Sequence, residues 1–355
     1  MSKKRAKKRT AFILVNAFLL LTSLLCFVGS RNISGMLLSQ SAAGRWQGES
    51  EMKFAQISCF LPTDQQIDEA AVNNFRQVMT SKFKEASLDA LSSERLFDDS
   101  WSTYGKVSVS SSLGSGEVYA YAVGGDFFLF HPLRLRSGNY ISADDLMRDR
   151  VLLDEETAWL LFGGNDIHGQ SFNINGEPFV VAGVVQREDD FATKKAYADG
   201  MGIFMSYEAF KKLNADAGIQ CYEVVMPESV NGFAYSIASD KFPIGRGEIV
   251  NNSTRFSFSK LLKLSTQYGM RSMQNKGIIY PYWENAARYA EDIAALLTAL
   301  SLLLAVLPLG WLLVMFIRLL IYGKNSLESS VFPKLKENAE EKIRQRQYER
   351  LHKKH

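Results

Sequence analysis

The sequence predicts an α+β domain in water, flanked by two transmembrane α-helices. Three observations carry that class. Apolar runs from Ala11 to Gly29 and from Ile293 to Tyr322 are each long enough to cross a hydrocarbon core of about 30 Å as a helix, which takes about 20 residues. The roughly 260 residues between them contain no comparable run and have ordinary globular composition. Within that middle, short alternating segments with β character are interleaved with helical periodicity, and Asn175-Gly176 marks a two-residue hairpin turn.

In chain order, residues 1–10 form a basic N-terminal segment and 11–30 the first span. Residues 31–280 form the extracytoplasmic domain, 281–292 a juxtamembrane helix, 293–322 the second span and 323–355 a basic tail. Lys3, Lys4, Arg5, Lys7, Lys8 and Arg9 precede the first run, and nine further Lys and Arg residues follow the second, so the positive-inside bias places both termini in the cytoplasm of a plasma-membrane protein. Setting aside these fifteen cations, Arg318 and the five acids of the tail leaves about 25 basic and 33 acidic residues outside. A domain with net charge near −8 is a poor match to nucleic acid. A cleaved signal peptide is the alternative for the first run, with Val28 and Ser30 as the small residues, but its apolar length favours an uncleaved anchor. Leu25 before Cys26 is too bulky for the usual lipidation site.

The second run is long for one span and too short for two. Pro308 and Gly310 predict a kink, and Arg318 is placed to snorkel to the inner interface. Tyr280, Tyr282 and Trp283 read as an aromatic belt at the outer membrane interface, with helix starting near Pro281. The four-residue spacing of Ala295 with Ala299, and of Ser301 with Ala305, permits close approach of another helix.

Inside the domain, Phe54 to Leu61 reads as a strand and Asp64 to Phe83 as a helix with Ile67, Ala71, Phe75, Val78, Met79 and Phe83 on one face. Lys106 to Ser112 and Glu117 to Val123 read as a hairpin joined by Leu113-Gly114-Ser115-Gly116. Ser171 to Ile174 and Pro178 to Val185 flank the Asn175-Gly176 turn, Gln220 to Met226 reads as a strand, and Glu228 to Ser239 as a helix. Lys260 to Lys276 carries an amphipathic pattern leading to the second span, and Lys194 to Gly202 reads as a polar loop.

From Val118 onward the order of motifs is specific. A strand ends in Gly124-Gly125-Asp126-Phe127-Phe128 and is followed by Leu135-Arg136-Ser137-Gly138-Asn139-Tyr140-Ile141 with Asp144 and Asp145. Then come Val151-Leu152-Leu153-Asp154, a helix ending in Phe162-Gly163, Ile167-His168-Gly169-Gln170 and Phe172 to Val185, containing Asn175, Gly176 and Gly183. This pattern resembles the extracytoplasmic core domain of MacB-like, FtsX-type ABC transporter permeases. The resemblance implies a two-part core with an insertion subdomain at about 115–212. It also implies a transport role with an ABC ATPase subunit and a full-length permease as partners in trans. Such permeases have one membrane helix before this domain and three after it, whereas this sequence shows one and one. The fold-signature residues Gly138, Asp144, Asp145, Phe162, Gly163, Gly169, Asn175, Gly176 and Gly183 are read as turns, caps and core.

No catalytic residue, cofactor site or metal site is assigned. There is no Gly-x-x-x-x-Gly-Lys-Ser/Thr loop and no Gly-x-Ser-x-Gly elbow, and His131, His168, His352 and His355 include no pair with ligand spacing in the domain. The acid pairs Asp98-Asp99 and Asp189-Asp190 read as solvated loop residues. Cys59 and Cys221 each fall in a strand, which leaves open a disulfide or two buried thiols. The reading is a non-catalytic membrane subunit of an ABC system of MacB/FtsX type. Its domain would contribute to export or mechanotransmission, contacting membrane lipid and an unidentified peptide, lipid or lipoprotein substrate. The alternative is a stand-alone membrane-anchored binding or sensor protein on the same fold.

Overall fold

The structure is a computed structural model that describes residues 2–88, 95–142, 145–196, 202–267, 274–275, 277–326, 335 and 338–346. Asp144, the middle of the 194–202 loop and most of the 323–355 tail lie outside the described residues. The chain divides into two compact units, one of Val28–Thr298 and one of Met1–Phe27 with Ala299–His355.

Helix α1 (Ser2–Met36) is followed by a 3-10 turn at Leu38–Gln40, a short α2 (Ala42–Gln47) and strand β1 (Phe54–Phe60). Then come α3 (Glu69–Glu85), β2 (Asp98–Ser110), β3 (Ser115–Gly125), α4 (Phe127–Phe130) and β4 (Arg134–Gly138). Next are β5 (Arg150–Asp154), α5 (Glu155–Phe162), β6 (Ser171–Ile174), β7 (Glu177–Gln186), α6 (Thr193–Ala196), β8 (Gly202–Ser206) and α7 (Tyr207–Leu213). The chain returns through β9 (Cys221–Pro227), α8 (Phe233–Lys241), β10 (Glu248–Asn251), α9 (Asn252–Arg255) and α10 (Phe258–Ser265). Strands β11 (Gln274–Asn275) and β12 (Ile278–Ile279) precede the 45-residue α11 (Tyr282–Ser326).

The long strand β2 organises the sheet. Its first half, Asp98 to Ser102, pairs with β9 and so joins the open series β10-β1-β9-β2. From Ser100 to Ser110 it pairs along its other edge with β3, and Val109 and Ser110 also pair with β6. Through β3, β8, β5, β7 and β6 the pairing returns to β2, closing a six-strand circuit. Residues 115–212 supply five of those six strands, so the segment is continuous with the rest of the sheet through one shared strand. Closure removes free sheet edges within the circuit.

Several elements differ from the sequence reading for local reasons. Helix α3 begins at Glu69, because Asp68 caps it by accepting from the Ala71 amide at 2.9 Å, while Ile67 is held in an extended bridge to Ile219. Its Val72, Phe75, Met79 and Phe83 are buried on one face. Ser115 and Gly116 belong to β3, and the turn is Ser111 to Gly114, closed by the Ser111 amide donating to the Gly114 carbonyl. Glu228 lies before α8 and accepts from the amides of Gly232 and Ala234 at 2.6 and 2.9 Å. Asp98 and Asp99 are buried in β2 opposite Val225 and Val224; the expected solvated loop is a strand. Helix α10 stops at Ser265, and the described part of the 194–202 loop includes α6.

Two apolar clusters fill the faces of the sheet. One gathers Ile57, Cys59, Phe75, Tyr222 and Val224, and the other Phe60, Phe127, Phe204, Cys221, Tyr280, Tyr282 and Trp283. Cys59 pairs in register with Tyr222 and Phe60 with Cys221, so the two cysteines project to opposite faces of adjacent strands. The disulfide considered from sequence is therefore absent, and both residues are buried free thiols. Burial pushes both thiol pKa values up, which keeps them as inert thiols.

Both long helices pass the length and hydropathy test for crossing a membrane, over Lys7–Met36 and Tyr282–Asn325. Asn16, Ser23 and Ser30, the buried polar residues of α1, are seven residues apart. In the unit of residues 28–298, Ser30 Oγ donates to the Ala294 carbonyl at 2.9 Å and lies 2.8 Å from Thr298 Oγ1. In the other unit, Ser23 Oγ donates to the Ser301 carbonyl at 2.8 Å and Phe12 meets Trp311 edge-on at 5.9 Å.

Candidate functional site

Four buried charged residues, Arg255, Glu284, Arg288 and Glu291, gather where the start of α11 meets the sheet. Glu284, Arg288 and Glu291 follow a four-then-three spacing, which puts them on one face of the helix just ahead of its apolar run. Arg255 approaches that face from α9, a single turn fixed by Asn251, whose side chain accepts from the Thr254 amide at 3.2 Å. The Arg255 guanidinium donates to Glu284 at 2.8 and 3.1 Å, to Glu291 at 2.8 Å and to Gln40 Oε1 at 2.8 Å. Arg288 donates to Glu284 at 2.8 Å and to Glu248 of β10 at 2.8 Å, and lies 3.8 Å from the centre of the Tyr280 ring. Tyr280 donates to the other Glu248 oxygen at 2.5 Å.

The centre of this cluster is buried. Arg255 is 3% and Glu284 1% exposed, and two cations are matched there by two fully engaged carboxylates plus the half-buried Glu248. Burial alone disfavours the Arg255 charge, but the carboxylates of Glu284 and Glu291 outweigh it and hold the guanidinium pKa above its ordinary value.

The network continues into the sheet. Arg255 reaches Asn252 Oδ1 at 3.4 Å, Asn252 donates to Ser58 at 2.7 Å, and Ser58 donates to Glu223 at 2.7 Å. The other Glu223 oxygen hydrogen-bonds His131 Nε2. His131 is fully buried, with its ring centre 4.3 Å from that of Trp283 and 4.5 Å from that of Phe127. On the α1 side, Gln56 of β1 accepts from the Ala42 amide at 2.9 Å and donates to the Ser39 carbonyl at 2.8 Å. Polar contacts thus tie the segment leaving α1, strands β1, β9 and β10, and the base of α11 into one piece. Apolar packing adds Ile33, Leu37, Leu261, Ala286, Ala287, Ala290 and Ala294 in a common cluster.

The aromatic belt expected at Tyr280, Tyr282 and Trp283 is corrected by this geometry. All three are at most 5% exposed and pack in the second core, where Tyr121 meets the Tyr282 ring at 5.5 Å and Trp283 meets Phe127 at 5.5 Å. They anchor the helix to the sheet. Arg318 is exposed on α11.

The described fold-signature residues are dispersed over the six-strand circuit, its connections and the adjoining β4. Gly138 and Gly183 pair in register between β4 and β7, and a Cβ on Gly183 would lie 2.6 Å from the Ser137 carbonyl oxygen. Asn175 and Gly176, at φ +50° and +91°, make the β6–β7 turn. Gly163 ends α5, Gly169 donates its amide to the Val181 carbonyl, and Phe162 meets Phe172 edge-on at 6.3 Å. Asp145 accepts from the Met147 amide at 3.2 Å.

A second charged region is a cavity of about 340 Å³ lined by Arg76, Asp98, Asp99, Trp101 and Asp126, with Asp145 at its rim. Arg76 grips Asp99 at 2.6 and 2.8 Å, and Tyr222 donates to the same carboxylate at 2.9 Å. Burial, and then the hydrogen bond with Asp126, pushes Asp98 up to about 7. Among the described residues, no cluster of His, Cys, Asp and Glu has the arrangement of a metal site.

Residues 63–232 match the family model described as the MacB-like periplasmic core domain. The chain carries a MacB-like periplasmic core domain. The macrolide export ATP-binding/permease protein MacB of Campylobacter fetus subsp. fetus (strain 82-40) is 26% identical over 132 residues, covering 36% of this chain and 19% of that protein. The match thus spans about a fifth of that relative's length. The periplasmic region of MacB from Actinobacillus actinomycetemcomitans superposes with a TM-score of 0.41 at 17% identity, covering 56% of this chain and 89% of that one. The extracellular domain of the noncanonic ABC-type transporter YknZ from Gram-positive bacteria gives 0.36 at 12% identity, covering 53% and 92%. This MacB-like domain, between two helices able to cross a membrane, makes the chain a membrane protein with an extracytoplasmic domain.

The sequence reading did not find Arg255, Glu284, Arg288 and Glu291. Their signal was present in the spacing of three charges directly before an apolar run. Nothing local to Arg255 marked it, because its partners lie 29 and 36 residues away.

Proposed function

We propose that this chain is a non-catalytic membrane subunit of an ABC transporter system of the MacB/FtsX type, whose extracytoplasmic domain transmits movement between the membrane and the outside. The observation that carries this reading is the buried network from Arg255 to Glu284, Glu291 and Gln40. A force applied along α11 reaches β1, β9 and β10 through charged hydrogen bonds and packed rings. The flanking Lys and Arg residues support cytoplasmic placement of both termini, within reach of an ATPase and a full-length permease acting in trans. The transported molecule is a peptide, a lipid or a lipoprotein.

Purification of the full chain from its native membrane at natural expression tests the assembly. Recovery of an ABC ATPase and a four-helix permease is expected, and consistent recovery of this chain alone would overturn the proposal. The 340 Å³ cavity with its raised Asp98 favours a second reading, a membrane-anchored sensor. That reading expects a ligand-dependent change in the purified chain and an unaltered phenotype in the absence of any ABC ATPase partner.

A further inference from the structure

Helix α10 buries one apolar stripe and exposes another. At about 100° per residue, Phe258 and Leu262 lie within about 40° of each other on its surface, Leu261 and Leu264 lie to one side of them, and Lys260 stands on the opposite face. Leu261 is 1% exposed and Leu264 is half-buried, whereas Phe258 and Leu262 are 43% and 41% exposed. Lys260 Nζ donates to Thr254 Oγ1 of α9 at 2.7 Å, so the face that carries Phe258 and Leu262 is turned away from α9.

Leu261 also fixes the place of α10 along α11, and does so inside the single unit Val28–Thr298. It is buried in one cluster with Ala287, Ala290, Ala294 and Ala295, with Ile293 packed against them. Asp292 is the last charged residue of α11 before Arg318, so a helix that crosses a membrane here enters hydrocarbon at about Ile293. Ala287 precedes that point by about 9 Å of helix and Ala295 follows it by about 3 Å. The headgroup layer on each side of a bilayer is about 5–8 Å deep, so α10 stands at that layer on the side that holds the domain. Exposed Phe and Leu at this level, beside lysines and with no acid on the helix, are the composition of an interfacial helix. We propose that α10 is a membrane-contacting helix that lays Phe258 and Leu262 among the upper acyl chains of the adjoining leaflet. Lys263, exposed about 100° further round from Leu262, lies where an ammonium meets lipid phosphates. The contact braces the base of α11 against the lipid surface, and it needs no transport partner.

Fluorescence quenching on the full-length chain in phospholipid vesicles tests this. Phe258→Cys and Leu262→Cys, each labelled with an uncharged bimane, are compared with Leu113→Cys in the exposed β2–β3 turn and with Leu312→Cys inside the apolar run of α11. The wild-type chain carried through the same labelling supplies the blank. Lipids brominated near the carbonyl end of the acyl chain are expected to quench the two α10 positions at least about twofold more than Leu113, and aqueous iodide at least about twofold less. Both α10 positions are exposed, so the replacements leave the core untouched. Quenching at Phe258 and Leu262 that matches Leu113 with both reagents, while Leu312 reports lipid, would overturn the proposal and leave the membrane span standing. Shielding from both reagents that grows with the protein-to-lipid ratio would put a second copy of the chain on this face, and also overturns it.

Discussion

Arg255 is the residue that joins the buried carboxylates at the base of α11. Replacing a buried pair by apolar groups is often tolerated, but removing one partner leaves a charge without compensation, at a cost of about 3–5 kcal/mol. Glu284 accepts from both Arg255 and Arg288, so Glu284→Gln strips half of the negative charge that faces them within α11. Chemical unfolding of the full chain in detergent is expected to show a loss of that order for Glu284→Gln, against less than about 1 kcal/mol for the exposed pair variant Glu85→Gln. Equal small losses would show that the network is solvated. Asp98 supplies a second test at this scale, one of pH. Its folded pKa is raised to about 7 by burial and by Asp126, while in the unfolded chain it lies near 4. Between those values the folded state holds a proton that the unfolded chain has released, so this group's contribution falls as pH rises through the window and is fully present below about 4. Thermal unfolding from pH 5 to pH 8 is expected to show a smaller decline in Asp98→Asn than in the wild type. Identical slopes would remove Asp98 as the source.

Among the elements, β4 and β7 approach closely through two glycines facing each other at Gly138 and Gly183. A methyl group at Gly183 would stand 2.6 Å from one carbonyl oxygen and 2.9 Å from another, both backbone atoms that cannot rotate away. Gly183→Ala is therefore expected to destabilise the domain by about 1–3 kcal/mol in chemical unfolding, while Gly164→Ala, with open space around it, is expected to be neutral. A neutral Gly183→Ala would mean that the two strands separate readily. This pair also shows what sequence conveys. The hairpin at Asn175-Gly176 was legible because a left-handed backbone restricts residue type at two adjacent positions. The face of α3 was legible because burial repeats with the helix period. Asp98 and Asp99 were not, because two acids in a strand contradict the usual polarity rule, and Asp99 is held by Arg76 and Tyr222, 23 and 123 residues away. The same limit hid Arg255. Tyr280, Tyr282 and Trp283 were placed at a lipid interface because aromatic residues next to an apolar run have that composition, whereas the fold fills the same positions with core packing against Phe127 and Tyr121. Cys59 and Cys221 are one register step apart, a difference between opposite faces of a sheet that only the pairing reveals.

At the scale of the whole molecule, the arrangement of both helices around one domain is a statement about sidedness, and the cysteines make it testable. Cys59 and Cys221 are 0% and 3% exposed, with thiol pKa values raised by burial, and Cys26 lies inside α1 within an apolar span. None of the three is expected to react with a charged, membrane-impermeant maleimide on intact cells, so single introduced cysteines report against a silent background. Leu146 is 95% exposed on the domain and Ser2 precedes the first basic cluster. If Lys and Arg retention governs insertion, Leu146→Cys is labelled from outside, and Ser2→Cys is labelled only after the membrane is permeabilised. Labelling of Ser2→Cys in intact cells would place the N-terminus outside. Labelling of neither until permeabilisation would put the domain in the cytoplasm, and with it would fall the export of force across the membrane that the buried network is proposed to serve.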